Sequence, residues 1–198
     1  MIITMKPEII LALLWLAYGF VHTVLAMDAV KEIFKGFSKY YRLIYNGLAV
    51  ILMLPILNYQ FSIQSQLLLE KSLFNQILGG LMMTSGLFLV YKALTSYDLG
   101  EFIGTRPLQT SQKVISFKQD ELLSVIRHPL YLGIIVFLWG WFGFSGLLSS
   151  LVTALALTVY IRIGIHFEER KLVKQFGKEY QDYQKQVPML IPRFEEVK

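Results

Sequence analysis

The chain contains no cysteine. Disulfides, cysteine-ligated metals and cysteine nucleophiles are thereby excluded. Charge is sparse as well, with Asp, Glu, Lys and Arg making up 17% of the 198 residues. Histidine is rarer still: the three, at 22, 128 and 166, have no ligand spacing, and no HExxH or paired Asp motif accompanies them, so no metal is expected. No GxGxxG follows a strand-like run and strands do not alternate with helices, which excludes a conventional soluble nucleotide-binding fold. Internal repeats and low-complexity tracts are missing too, and residues 1–198 are expected to form one domain.

What the chain has is apolar surface. Hydrophobic residues make up 55% and the mean hydropathy is +0.50, more than one soluble core needs, which points to lipid as the solvent. Four stretches carry no charge: Ile9 to Met27 (19 residues), Leu43 to Leu69 (27), Ser72 to Tyr91 (20) and Pro129 to Ile161 (33). A membrane span needs about 20 residues. The last stretch is too long for one helix and too short for two spans with a loop, and Gly140, Gly143 and Gly146 interrupt it, so it reads as a tight helical hairpin. The expectation is an all-α integral membrane protein of about five transmembrane helices, at 8–27, 43–62, 72–92, 129–143 and 147–167, the fourth short. A cytoplasmic loop spans 93–128, and 168–198 forms a cytoplasmic cap. Within that cap, Leu172, Val173, Phe176, Tyr180 and Tyr183 recur at spacings of 3 and 4, predicting an amphipathic helix over 168–186 that Pro188 ends.

Net charge is +5, and its distribution is informative. Lys31, Lys35, Lys39 and Arg42 fall in the first loop, Lys92, Arg106, Lys113, Lys118 and Arg127 in the long loop, and eight more from Arg162 onward. Only Lys6 and Lys71 remain for the other side. Because basic residues are retained in the cytoplasm, the N-terminus is expected outside and the C-terminus inside. The same distribution suits anionic headgroups of membrane lipid and gives no reason to expect nucleic acid as a partner. The apolar run near the N-terminus lacks a small-residue cleavage site and is read as a retained first helix.

Two polar groups flank the hairpin. At its entry, Pro129 is placed to start a helix with His128 at its cap, where unpaired N–H groups and the helix dipole, reinforced by Arg127, can hold a carboxylate or phosphate. Simple anchoring of the helix end is the alternative. At its exit stand Arg162, His166, Glu168, Glu169, Arg170 and Lys171, with 162, 166 and 169 on one helix face. Arg162 is expected to pair with Glu169 or Glu168, because an unpaired charge in a span costs at least about 3 kcal/mol. A structural ion pair would also explain this group. His22 is expected to bond between helices, and Asn75 and Gln76 to serve packing.

These motifs together resemble a known family. Arg127-His128-Pro129-x-Tyr131-x-Gly133, a short hairpin, and then Glu168-Glu169-x-x-Leu172-x-x-x-Phe176-Gly177-x-x-Tyr180-x-x-Tyr183-x-x-x-Val187-Pro188 are similar to the isoprenylcysteine carboxyl methyltransferase family of membrane methyltransferases, over roughly residues 105 to 194. His22-Thr23-x-x-Ala26, Lys31, Tyr41-Arg42-Leu43-Ile44-Tyr45-Asn46 and the ending Val187-Pro188-Met189-Leu190-Ile191-Pro192-Arg193 resemble its methanethiol S-methyltransferase branch. A branch of nitrite and nitric oxide reductase accessory proteins shares the N-terminal pattern, and sterol-type membrane reductases share the Phe-Gly-x-x-Tyr-x-x-Tyr ending.

The resemblance implies S-adenosylmethionine as cofactor in a cytoplasmic pocket. Gln109, Ile115, Ser116, Phe117 and Lys118 would contact it from the long loop. His128, Pro129, Leu130 and Tyr131 would line it, Glu168 and Glu169 would accept hydrogen bonds, and Tyr180, Tyr183 and Pro188 would cover it. The implied partner is a small or lipophilic methyl acceptor, a thiol above all, with His128 or His166 as base and Arg162 beside them. Prenylcysteine enzymes carry an Arg one turn before the Glu pair for the substrate carboxylate. Here that position is Gly164, which points away from a prenylcysteine carboxylate.

Overall fold

Apolar residues on every side of a helix leave it no soluble solution, and the long helices of this chain have that character. In the computed structural model residues 6–34, 38–95, 99–105 and 121–192 are described. They form α1 (Pro7–Ala26), α2 (Asp28–Ile33), α3 (Ser38–Ser62), α4 (Leu73–Thr95), α5 (Leu99–Ile103), α6 (Glu121–Val125), α7 (Pro129–Ser145), α8 (Leu148–Phe176) and α9 (Lys178–Gln186). Four of these, α1, α3, α4 and α8, are long and apolar enough to cross a membrane, and α7 is a shorter apolar helix. Large side chains such as Phe20 (71% exposed) and Leu73 (74%) stand outward along them. Burying such groups in hydrocarbon rather than leaving them in water is worth about 1.5–3 kcal/mol each. The chain is an all-α membrane protein.

The hairpin forms with its corner within two residues of the expected 144–146, but only one of the three glycines makes it. Gly140 and Gly143 lie inside α7, which runs unbroken to Ser145; the break comes at Gly146, in the left-handed region at φ +69°. Its N–H closes on the Phe142 carbonyl (2.8 Å), and its own carbonyl accepts from Leu68 N (2.7 Å) and Leu69 N (3.1 Å). The 17 residues of α7 span about 25 Å, short of a bilayer core of about 30 Å. α8, with 29 residues, spans about 43 Å and must project beyond that core.

The glycines expected to interrupt the run serve instead to bring helices together. Gly79 and Gly86 are seven residues apart on α4, and Gly133 and Gly140 are seven apart on α7. The helices are antiparallel, so Gly79 meets Gly140 and Gly86 meets Gly133. A Cβ added at Gly86 would stand 2.6 Å from the Gly133 carbonyl oxygen, and one at Gly140 2.8 Å from that of Gly79. Lipid gives apolar helices little reason to associate, and small residues that allow backbone contact replace the hydrophobic drive.

The C-terminal region also departs from expectation. The predicted helix over 168–186 is divided: α8 continues as far as Phe176, Gly177 turns the chain at φ +58°, and α9 starts at Lys178. Leu172, Val173 and Phe176 therefore pack against Tyr180, Tyr183 and Val187 across the turn, instead of sharing one continuous helical stripe. Within the expected loop 93–128, α4 runs on to Thr95, and α5 and α6 add short helices. Asn75 and Gln76 tie the start of α4 to the loop before it, donating to the carbonyls of Glu70 (2.8 Å) and Lys71 (3.3 Å).

The two ends of the bundle are distinct. At one, Ser65 donates to Glu8 (2.9 Å) and accepts from Ser149 N (2.9 Å), joining α1, the 63–72 loop and the start of α8. At the other, Asp28 meets Lys31 (3.0 Å) and Lys171 (3.4 Å), and the Lys31 hydrogen bond holds its carboxyl below the usual carboxylate value. Lys6 and Lys71 belong to the first end, and Arg127 and the distal half of α8 to the second.

Candidate functional site

Because α7 and α8 form a hairpin, the residue before α7 and the residues leaving the membrane on α8 come together. Pro129 occupies the first helical position and His128 the N-cap, as the sequence predicts. One turn apart on α8, Ile165 and Glu169 are buried and face this junction. The Glu169 carboxylate, in a residue only 8% exposed, accepts from Arg127 Nε at 2.7 Å and lies 3.2 Å from His128 Nε2. Its second oxygen accepts from Gln184 Nε2 at 3.2 Å. His128 is itself 6% exposed, and its ring lies 5.6 Å from that of Tyr131.

Arg127 holds three parts of the chain at once. Its Nη1 donates to the carbonyls of Gln184 (3.0 Å) and Val187, while its backbone N donates to Pro188 O (2.9 Å). His128 N follows with a bond to Met189 O (3.2 Å). The strip 187–189 thus lies along the entry of α7, covering it. Tyr183 donates to Leu123 O (2.6 Å), fastening α9 to α6. Burial, with the Glu169 charge adding to it, raises the Tyr180 hydroxyl well above the usual tyrosine value. The result is a guanidinium, a carboxylate and an imidazole held out of water, each with a hydrogen-bond partner.

The expected site residues separate into groups. His128, Pro129, Leu130, Tyr131 and Glu169 come together at this junction, and Glu168 lies half-buried beside it. His166 is exposed on α8, with Phe167 against its ring (5.7 Å). The expected pairing of Arg162 with Glu169 or Glu168 does not form. Glu169 is turned to Arg127, and the Arg162 guanidinium lies against the Met189 sulfur, with no carboxylate partner among the described residues. Gln109, Ile115, Ser116, Phe117 and Lys118 lie outside the described residues. Gln184 was invisible to sequence reasoning because its contribution depends on the turn at Gly177. Arg127 was legible as a charge at a helix end, but its carboxylate partner, 42 residues on, was not.

His22 takes the interhelical role its position suggests. The Tyr160 hydroxyl lies 2.7 Å from Nδ1 and the Tyr45 hydroxyl 2.7 Å from Nε2, joining α1, α8 and α3. One imidazole nitrogen donates and the other accepts, so either tautomer can serve both hydroxyls. His22→Phe is expected to destabilise the bundle by about 1–3 kcal/mol, the cost of stranding such groups. Detergent-solubilised unfolding followed by circular dichroism measures it, and an unchanged midpoint would contradict the structural role.

Fold and cluster together describe a multi-pass membrane protein with a covered, charge-balanced polar site at one end of its bundle. Within that class, the chain is similar to methanethiol S-methyltransferases. It is 44% identical over 78 residues to methanethiol S-methyltransferase 2 of Bradyrhizobium diazoefficiens, covering 39% of this chain and 29% of the relative. The methanethiol S-methyltransferase of Pseudomonas deceptionensis is 42% identical over 77 residues, again 39% and 29%. That of Mycobacterium tuberculosis is 36% identical over 80 residues, 39% of this chain and 31% of the relative. The chain thus spans less than a third of the length of the curated relatives it matches. No family model matches the chain, and no solved structure matches it.

Proposed function

We infer that the chain is a membrane methyltransferase that uses S-adenosylmethionine and passes its methyl group to a small or lipophilic thiol. The observation that carries this reading is the buried Arg127–His128–Glu169 cluster at the entry of α7, in a chain similar to methanethiol S-methyltransferases. The donor set fits the cofactor. An amino-acid end with one carboxylate and one ammonium, next to a sulfonium, calls for a guanidinium and a carboxylate near aromatic rings; Arg127, Glu169, Tyr131 and Tyr180 supply them. Glu169, with Glu168 beside it, would hold the cationic groups, and Arg127 with the first N–H groups of α7 the carboxylate. Residues 115–118 and Gln109 would close the site from the long loop.

S-adenosylmethionine, when bound, supplies an electrophilic methyl group. Methyl transfer to a thiol would also require that the thiol proton pass to a base of this chain. His128 Nδ1 is the nearest candidate, since Nε2 faces Glu169; His166, three residues before Glu169, is the second. The protein's remaining work is alignment and exclusion of water, for which the 187–189 strip is the cover. Gly164 has nothing within 4 Å of its would-be Cβ and Arg162 is turned to Met189, so neither of these two positions offers a cation to an acceptor carboxylate. This favours a neutral thiol. The basic end of the bundle would face the cytosol, with the N-terminus outside.

Titration calorimetry of the full chain in detergent with S-adenosylhomocysteine tests the reading. Binding is expected, with at least a tenfold loss in His128→Ala, about 1.4 kcal/mol, and a smaller loss in Glu168→Ala. Absence of binding by the unaltered chain, or stabilisation by NADPH in its place, would overturn it.

A further inference from the structure

The bonds that balance the Arg127–Glu169 cluster come from the chain's own C-terminal segment, and in kind they are those an amino-acid ligand would bring. Gln184 lies in the last turn of α9. The residue that would donate to its carbonyl within a helix is Pro188, which has no N–H, and the carbonyls at a helix end carry the negative end of its dipole. The Gln184 carbonyl accepts from Arg127 Nη1 at 3.0 Å, and the Val187 carbonyl accepts from the same nitrogen. Arg127 Nε donates to Glu169 (2.7 Å). Arginine grips a carboxylate through two parallel N–H groups on two nitrogens, and with Nε and Nη1 engaged that fork is blocked. On the other side, Gln184 Nε2 donates to the second Glu169 oxygen at 3.2 Å. One residue thus offers an acceptor to the cation and a donor to the anion, the polarity of a carboxylate and an ammonium on one carbon.

The segment that makes these contacts can move while its flanks stay fixed. Before it, Tyr180 and Tyr183 are buried, and Tyr183 donates to Leu123 O (2.6 Å). After it, Pro188 O and Met189 O accept from the backbone N–H groups of Arg127 and His128, bonds that do not involve the guanidinium. Between these anchors, Lys185 and Gln186 are exposed. A competitor on the same chain acts at a high effective concentration. The measured affinity for a ligand is then its intrinsic affinity reduced to the fraction of molecules in which the competitor has left.

We propose that the last turn of α9 is an internal competitor for the amino-acid end of the cofactor: Gln184 occupies Arg127 and Glu169, and swings off before a carboxylate and an ammonium take its place. This rests on the reading of the cluster as the cofactor's site. Surface plasmon resonance of the full chain in detergent, with S-adenosylhomocysteine as probe, tests it. Gln184→Ala is expected to speed association by about threefold or more and to leave dissociation within about twofold, because the competitor is displaced in the complex. Faster dissociation with unchanged or slower association would mean that Gln184 touches the ligand, and would overturn the competition. Limited proteolysis of the unaltered chain gives a second readout that does not depend on the variant's folding. Tryptic cleavage after Lys185 should accelerate about threefold or more in saturating S-adenosylhomocysteine, since the turn that carries it is released. Equal or slower cleavage overturns the inference. Absence of S-adenosylhomocysteine binding by the unaltered chain overturns the cofactor reading and this inference with it, whereas binding together with either contrary result overturns the competition alone.

Discussion

Glu169→Ala is expected to abolish S-adenosylhomocysteine binding and to cost about 3–5 kcal/mol of stability, the range found when one partner of a buried ion pair is removed. The reason is geometric. Arg127 and His128 are both buried, and Glu169 is the carboxylate that meets them, at 2.7 and 3.2 Å. Its loss strands a guanidinium in a place water reaches poorly, and the Gln184 bond goes with it. Glu169→Gln separates the two effects, because the amide keeps the shape and an acceptor oxygen while removing the charge; it should regain part of the stability and little of the binding. Calorimetry and thermal unfolding on the same preparations read both. Wild-type affinity in Glu169→Gln would sink the assignment of this carboxylate to the cofactor, while leaving its structural role intact.

Gly86→Leu and Gly133→Leu carry the second large effect. A Cβ at either position would stand 2.6 to 2.8 Å from the opposing glycine's carbonyl oxygen; at Gly86 the near atoms are all backbone, and at Gly133 backbone of Gly86 and Val90 stands beside a Val90 methyl, and backbone cannot move aside as a side-chain tip can. Overpacking costs about 1–3 kcal/mol even where neighbours can adjust, and here α7 must separate from α4. Since α7 carries Pro129 and His128 at its start, the same change should weaken cofactor binding from within the membrane. Gly80→Ala is the control: nothing lies within 4 Å of its Cβ, and replacing a helical glycine by alanine gains about 0.5–1 kcal/mol. Unfolding midpoints of the three variants in one detergent decide the matter. If Gly86→Leu melts like Gly80→Ala, backbone contact is not what joins these helices.

The sequence was most legible where the solvent did the selecting. Uncharged runs and basic loops marked α1, α4 and α7 to within three residues at each end, because hydrocarbon rejects charge irrespective of how the helices are arranged. By contrast, α3 starts five residues before the expected span and α8 runs nine residues past it, where the chain has left the apolar run. Pro129 and His128 were placed correctly by local rules of helix starting. The glycines were visible but misread. Gly140 and Gly146 look alike in a sequence, and only the approach of α4 distinguishes a residue that permits contact from one that turns the chain. The amphipathic spacing from Leu172 to Tyr183 was also real, yet Gly177 divides it, and a periodic pattern is equally satisfied by one stripe or by two segments folded together.

By itself, then, the sequence determined an all-helical membrane protein with its ionisable residues concentrated toward one end, and it named the residues from which a site could be made. Tertiary structure decided the partners: Glu169 rather than Glu168 as the buried carboxylate, Arg127 rather than Arg162 as its cation, Gln184 as the third member. Partition into lipid acts on each segment separately and leaves its mark in composition. An ion pair between residues 42 positions apart depends on the rotation of α8 about its own axis and on the depth of α7, and packing alone sets both.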